Sequence, residues 1–336
     1  MSSVLDALTG TPVGLSRRAF VSAAVGLAAG LVSVRHSEAA GAATYDFPVG
    51  LELYSLSKEL LADFEGTLHR VAAMGYREVE LPDLYGRTVE QMRHALDAAG
   101  LRCASGHVPA SSFVEGMPSL EHDADTLFGM CRDLGVTYVV CGLPPMRADR
   151  KPTLDALKAD AAGAIVRYFD SLTLEDWKWT ADFLNTVGAQ AARRGLMLAY
   201  HNHSAEFRPL GATSGYDELL RLTDSQVVKM ELDCGWARAA GRDPAALLAA
   251  SSDRYRLVHL KDLKLPAQPD YHNRMEPAEV GAGVIDWRRL LTAAQGAGVR
   301  YTYVEQEPPY ARPAVDIVQR ALAYFRTLKV RPSLSP

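Results

Sequence analysis

The sequence predicts an α/β protein built as a single (β/α)8 barrel, and three observations carry that prediction. Short β-rich runs alternate eight times with amphipathic helical runs, the pattern of parallel strands covered by helices. Eight such units in roughly 290 residues match a closed barrel. The first strand runs into Ser55-Leu56-Ser57-Lys58, not into the Gly-rich phosphate turn that usually follows the first strand of an open, doubly wound sheet. No linker rich in Pro, Gly or Ser divides residues 43–336, so they read as one domain.

The elements follow in order. Val49–Tyr54 is the first strand and a helix spans Lys58–Met74. Glu78–Leu81 precedes a helix over Val89–Ala99, closed by Gly100 where a left-handed residue commonly ends a helix. Leu101–Ser105 precedes Leu120–Leu134, closed by Gly135, and Thr137–Cys141 precedes a long helical stretch ending near Arg194, with Gly195 after it. Leu196–His201, Val227–Asp233, Leu257–Leu260 and Tyr301–Glu305 are the last four strands. Helices near Tyr216–Leu222, Pro244–Ala250, Trp287–Ala297 and Ala314–Leu328 follow them.

Residues 1–42 read as an address and not as part of the fold. Arg17-Arg18-Ala19-Phe20 opens an apolar run of 15 residues to Val34, followed by Ala40-Gly41-Ala42. That is the order of a cleaved export signal, and the paired arginines mark the twin-arginine type. The run is short for a span of about 20 apolar residues, so no stable membrane anchor is expected. The twin-arginine export machinery is then a partner, and the mature chain is periplasmic or secreted.

With 36 Lys+Arg against 40 Asp+Glu, the net charge is −4. Nothing there would neutralise a phosphate backbone, so no nucleic-acid partner is expected. The four cysteines, Cys103, Cys131, Cys141 and Cys234, lack the C-x-x-C spacing of a zinc knuckle or redox pair. Assembly is left open to homo-oligomers.

A barrel of this kind places its chemistry where the strands end. Those ends carry Glu80, His107, His201-Asn202-His203 with Glu206 beyond, Asp233, His259 with Lys261-Asp262, and Glu305 with Glu307. One such residue is usually structural, an N-cap or a bonded buried group. Together on one rim, Asp233, His259 and Glu305 from three successive strands form a mixed carboxylate and imidazole site. It suits one divalent metal ion, Mn²⁺, Co²⁺, Mg²⁺ or Zn²⁺.

At these residues the sequence resembles the sugar phosphate isomerase/epimerase family, the xylose isomerase-like barrels, in an exported twin-arginine branch. The phrases carrying it are Gly50-Leu51-Glu52-Leu53-Tyr54-Ser55, Gly75-Tyr76-Arg77-Glu78-Val79-Glu80-Leu81, Tyr200-His201-Asn202-His203 with Glu206-Phe207, Glu231-Leu232-Asp233, Val258-His259-Leu260-Lys261-Asp262, Gly281-Ala282-Gly283-Val284-Ile285-Asp286-Trp287 and Val304-Glu305-Gln306-Glu307. In the family's ketose epimerases a Glu, an Asp, a His and a Glu hold one metal. The resemblance places Asp233, His259 and Glu305 as the last three, with His201 where the first Glu stands. His201, His203 or Glu206 is then the fourth ligand. Trp236 also stands where many epimerases have His.

The resemblance implies a metal-dependent isomerase or epimerase on an unphosphorylated keto-sugar, working through an enediolate. The alternative is a lyase or hydratase on 3-keto-glycosides that abstracts a proton and eliminates a β-substituent. A non-catalytic sugar-binding barrel is the third reading. His203, Glu206, Glu305 and Lys261 are the expected acid/base and catalytic groups. Glu80, His107, Trp236 and Glu307 are the expected substrate contacts.

Overall fold

Eight parallel strands close into a barrel in the computed structural model, which describes residues 48–112 and 116–328. They are β1 (Val49–Glu52), β2 (Glu78–Leu81), β3 (Arg102–His107), β4 (Tyr138–Cys141), β5 (Met197–His201), β6 (Val228–Asp233), β7 (Tyr255–Leu260) and β8 (Tyr301–Val304). Each strand pairs with its neighbours in sequence, and β8 returns to β1 with Val49 opposite Thr302. The leader expected over residues 1–42 lies outside the described residues.

Around the strands run α1 (Ser57–Ala62), α2 (Phe64–Met74), α3 (Val89–Ala99), α4 (Leu120–Leu134), α5 (Leu154–Ser171), α6 (Leu174–Ala192), α7 (Gly215–Leu222), α8 (Cys234–Ala239), α9 (Pro244–Ala250), α10 (Trp287–Gly296) and α11 (Ala314–Thr327). Gly75, Gly100 and Gly135 end α2, α3 and α4 in the left-handed conformation, which glycine adopts without strain. The helix expected over Lys58–Met74 is two, because Asp63 leaves helical geometry and its carboxylate caps the Gly66 N–H at 3.1 Å. The long stretch before Gly195 is also two helices. Thr173 and Asp176 form a capping box that starts α6, and such a box satisfies donors a continuous helix would have no need to cap.

The main core lies between strands and helices, where residues such as Leu51, Val79, Leu198 and Leu291 have no exposed surface. Each such side chain contributes about 1.5–3 kcal/mol. A second cluster, Tyr138, Val140, Ala199, Leu257 and Tyr303, fills the barrel itself. Gly50 of β1 is required beside it, since a Cβ there would run into the Tyr303 ring. The barrel is therefore plugged below and open for chemistry only above. All four cysteines are buried and unpaired. No helix among the described residues is long and apolar enough to cross a membrane.

Candidate active site

The C-terminal strand ends surround a cleft of about 240 Å³. Its base is formed by Glu52, His107, His201, His259, Lys261 and Glu305, with His203 and Glu307 beside them. Ser111, Met117, Leu143 and Met146, from the loops after β3 and β4, form a largely apolar cover.

The strand period explains why so many polar groups converge. Alternate residues of a strand face the same side, so Glu231 and Asp233 both point into the barrel, one below the other. Glu231 Oε2 lies 2.9 Å from His201 Nδ1, 3.4 Å from His259 Nε2 and 3.6 Å from His107 Nε2. Its other oxygen is buried with no hydrogen-bond partner. Glu80 hydrogen-bonds His259 Nε2 and accepts the Ser105 hydroxyl. Above them, His259 Nδ1 lies 2.7 Å from Glu305 and 3.9 Å from Asp233. Lys261, only 1% exposed, sets its ammonium 2.9 Å from Asp233, 2.8 Å from Glu305 and 3.0 Å from Glu307.

These neighbours decide the charge states. Burial and the Glu80 charge push Glu231 up to about 7. Burial and the same Glu80 charge raise Glu52. Burial would lower His259, but Glu231, Glu80 and Glu305 outweigh it and raise it well above the usual imidazole range. Burial lowers His201, helped by the charge on His259. Lys261 resists the loss that burial would cause, because Asp233, Glu305 and Glu307 hold it charged. Opposite charges close together favour the ionised forms, whereas like charges and burial oppose them.

Two local devices hold the rim. Asn202 acts as a backbone mimic: its side chain accepts the Asp233 N–H at 3.1 Å and donates to the Asp233 carbonyl at 3.3 Å. Asp233 in turn caps α8, with Oδ1 accepting the Trp236 N–H at 2.8 Å. Beyond β5, Asn273 fixes the loop by accepting the Ala205 N–H at 3.0 Å and donating its own N–H to the Ser204 hydroxyl at 3.0 Å.

The expected residues fall into two groups. His107, His201, His203, His259, Lys261, Glu305 and Glu307 line the cleft, with Asp233 directly beneath. Three others are corrected. Glu206, expected as an acid/base group, is fully buried under the rim; its carboxylate accepts the Tyr200 hydroxyl at 3.1 Å and the His203 N–H at 3.0 Å. Glu80, expected as a substrate contact, has no exposed surface and holds His259 instead. Trp236, expected as a platform for a sugar, packs behind Lys261, with the ammonium 4.9 Å from its ring centre. Sequence reasoning missed Glu231 and Glu52, both buried in the cluster. The signal for Glu231 was its place two residues before Asp233.

Comparisons with known proteins agree with this architecture. A family described as xylose isomerase-like TIM barrel matches residues 68–328. An inosose dehydratase from Geobacillus thermodenitrificans (strain NG80-2) is 25% identical over 289 residues, covering 78% of this chain and 89% of the relative. An inosose dehydratase from Clostridium beijerinckii (strain ATCC 51743 / NCIMB 8052) is 26% identical over 203 residues, 60% of this chain; the chain spans 64% of that relative's length. Among solved structures, a sugar phosphate isomerase/epimerase from Parabacteroides distasonis ATCC 8503 superposes with a TM-score of 0.66 at 23% identity. It covers 89% of this chain and 100% of its own. That likeness is one of fold.

Proposed function

The chain belongs to the xylose isomerase-like TIM barrel family, and from that premise we propose that it is a lyase. Its reaction is the β-elimination of water or an alcohol from an unphosphorylated, polyhydroxylated ketone such as a 3-keto-glycoside. One observation carries the reading. The proton-carrying groups form one contiguous cluster at the base of the cleft, with ring centres of His107, His201 and His259 4.6–6.0 Å apart. The described residues of the covering loops, 108–112, 116–118 and 143–146, include no His, Asp, Glu, Lys or Arg, and Asp83, the carboxylate that borders the cleft from the loop after β2, accepts the Tyr85 N–H. Acid and base on one face suit removal of an α-proton and protonation of a leaving oxygen on that same face. Epimerisation needs a second group across the substrate, and Glu206, expected as one of the acid/base groups, is buried under the rim. The two dehydratase relatives support the same reading.

The residues take roles from their surroundings. His203 borders the cleft, and its Nδ1 is buried 3.9 Å from Glu206 Oε1, so its Nε2 is the nitrogen that takes the proton. The C–H electron pair moves onto the carbonyl oxygen as the proton leaves. It then returns to form the carbon–carbon double bond as the β C–O bond breaks, and the leaving oxygen takes the proton from His203 and departs as water or an alcohol. Lys261, kept charged by three carboxylates, faces the cleft and stabilises the oxygen on which negative charge gathers. The cleft lining holds one Lys and no Arg, a poor cradle for a phosphate ester.

The donor set fits a divalent cation. Glu231 offers a buried carboxylate oxygen with no partner, and imidazoles with carboxylates are good ligands for such ions. His201 and His259, with the acids around them, would hold it. Bound there, it would act as a Lewis acid on the substrate carbonyl.

Incubation of the purified protein with keto-polyols and 3-keto-glycosides, followed by mass spectrometry, tests the reading. A product lighter by one water, or a released aglycone, is expected. A product of unchanged mass would return the chain to the isomerases and epimerases.

A further inference from the structure

His259 presents a different nitrogen to each of two carboxylate clusters, and a divalent cation can occupy only one of them fully. On the outer side, Asp233, His259 and Glu305 bring ligand atoms within 4.8 Å of one another. On the inner side, His107, His201, Glu231 and His259 do so, and so does an overlapping group, Glu52, Glu80, His107 and His259, whose carboxylates are engaged by the Tyr54 N–H and the Ser105 hydroxyl.

The outer carboxylates already have a cation. The Lys261 ammonium is buried between Asp233 and Glu305 at 2.9 and 2.8 Å. A metal ion added there would face a fixed positive charge at close range, where repulsion in a buried setting is strong. Among the described residues, the inner carboxylates Glu80 and Glu231 pair only with imidazoles and with no Lys or Arg, and an imidazole gives up its proton when it ligates a metal ion. Glu231, with no exposed surface, has one oxygen unpartnered, and His107 Nε2 is likewise buried without a hydrogen-bond partner.

We infer that the divalent cation sits on the inner side, held by His107, His201, Glu231 and His259, with Lys261 as the resident counter-charge of the outer side. This rests on the reading above that the cluster binds a cation. The geometry suits it. Nitrogen and oxygen ligands about 2.0–2.1 Å from a tetrahedral metal lie about 3.3 Å from one another. Glu231 Oε2 is 2.9, 3.4 and 3.6 Å from the nitrogens of His201, His259 and His107, which brackets that edge.

The supporting bonds are also in place. A ligating imidazole usually donates its second ring N–H to a carboxylate, and His259 Nδ1 lies 2.7 Å from Glu305. Glu305 is thereby an orienting residue for His259 and not a ligand. Glu80, now bonded to His259 Nε2, would exchange that contact for the ion while keeping Ser105. His107, His201 and His259 all line the cleft, so an ion among them is open to substrate. Three imidazoles and one carboxylate favour a borderline transition ion such as Zn²⁺ or Co²⁺ over Mg²⁺.

The test is a Zn²⁺ titration of chelator-treated protein in competition with a chromophoric indicator, with the visible spectrum of the Co²⁺ form as a second readout. His107→Ala and Glu231→Gln should each weaken Zn²⁺ binding by about 100-fold or more, while Asp233→Asn changes it by less than about threefold. Co²⁺ in the unaltered protein should give an intense visible band that His107→Ala abolishes. Loss of Zn²⁺ through Asp233→Asn, with His107→Ala binding normally, would overturn the inner site but leave the cation reading standing. Failure of the unaltered protein to bind Zn²⁺ or Co²⁺ would overturn both. His107 is partly exposed, so its variant carries the test if Glu231→Gln does not fold.

Discussion

Glu206 shapes the site without touching it. Its two oxygens accept the Tyr200 hydroxyl and the His203 N–H, so the carboxylate holds His203 at the cleft edge. Removing it strands two buried donors, each costing about 1–3 kcal/mol. Glu206→Ala should therefore lower stability by about 2–4 kcal/mol in denaturant unfolding, and Glu206→Gln, which keeps one acceptor, should recover part of that. His203 itself is different: its Nδ1 has no partner, so His203→Gln should leave stability nearly unchanged. Its effect falls on kcat, expected to drop by about 10²–10⁴ as for loss of a general base. Wild-type turnover in His203→Gln would place the base elsewhere in the cluster.

At the scale of elements, one carboxylate organises a whole loop. Asp262 lies two residues after β7 and accepts the backbone N–H groups of Gly281, Gly283 and Ile285 at 3.0, 3.2 and 3.2 Å. It also accepts the Trp287 indole N–H at 3.1 Å, joining the loop to the start of α10. Gly283 packs so tightly on this carboxylate that a Cβ would collide with it. Asp262→Ala should speed amide exchange at 281, 283 and 285 by at least about 100-fold, since the lost bonds leave several buried donors unpaired. Unchanged protection there would mean that the loop is held by other packing. The sequence showed this loop as a phrase, Gly281-Ala-Gly283, but not its clasp, because Asp262 and Gly283 are 21 residues apart. Local signals were read more fully. Gly100 and Gly135 end helices where expected, since a C-terminal glycine acts within its own turn. The breaks at Asp63 and Thr173 escaped because a single capping side chain interrupts an otherwise continuous helical pattern. The same shift of boundary hid Glu52. The sequence predicts a first strand reaching Tyr54, whereas β1 stops at Glu52 and a 3₁₀ turn follows, which sets Glu52 and not Tyr54 at the strand end.

For the molecule as a whole, the barrel mouth is a place where folding opposes itself. Glu52, Glu80, Glu231, Asp233, Glu305 and Glu307 gather around one ammonium and three inward imidazoles. The eight-strand frame that brings them together was legible from periodicity. Their mutual repulsion was legible only as a count of acids at strand ends, because the depth of Glu231 beneath Asp233 is a property of the closed barrel. Burial and neighbouring carboxylates raise Glu231, Glu52 and Asp233 above their ordinary values, so part of the folding free energy is spent holding these groups together. A divalent cation held as proposed would relieve that repulsion and bind only the folded arrangement, so it should stabilise the entire barrel and not just its rim. At a free Zn²⁺ or Co²⁺ concentration of about 100 times Kd, linkage gives about 2.7 kcal/mol. For a domain of this size that amounts to an increase in Tm of roughly 5–10 °C. Differential scanning calorimetry of chelated and metal-loaded protein measures it, and Glu231→Gln should lose the increase while Asp233→Asn retains it. A Tm independent of added ion in the unaltered protein would mean that the protonated carboxylates and Lys261 already balance the site.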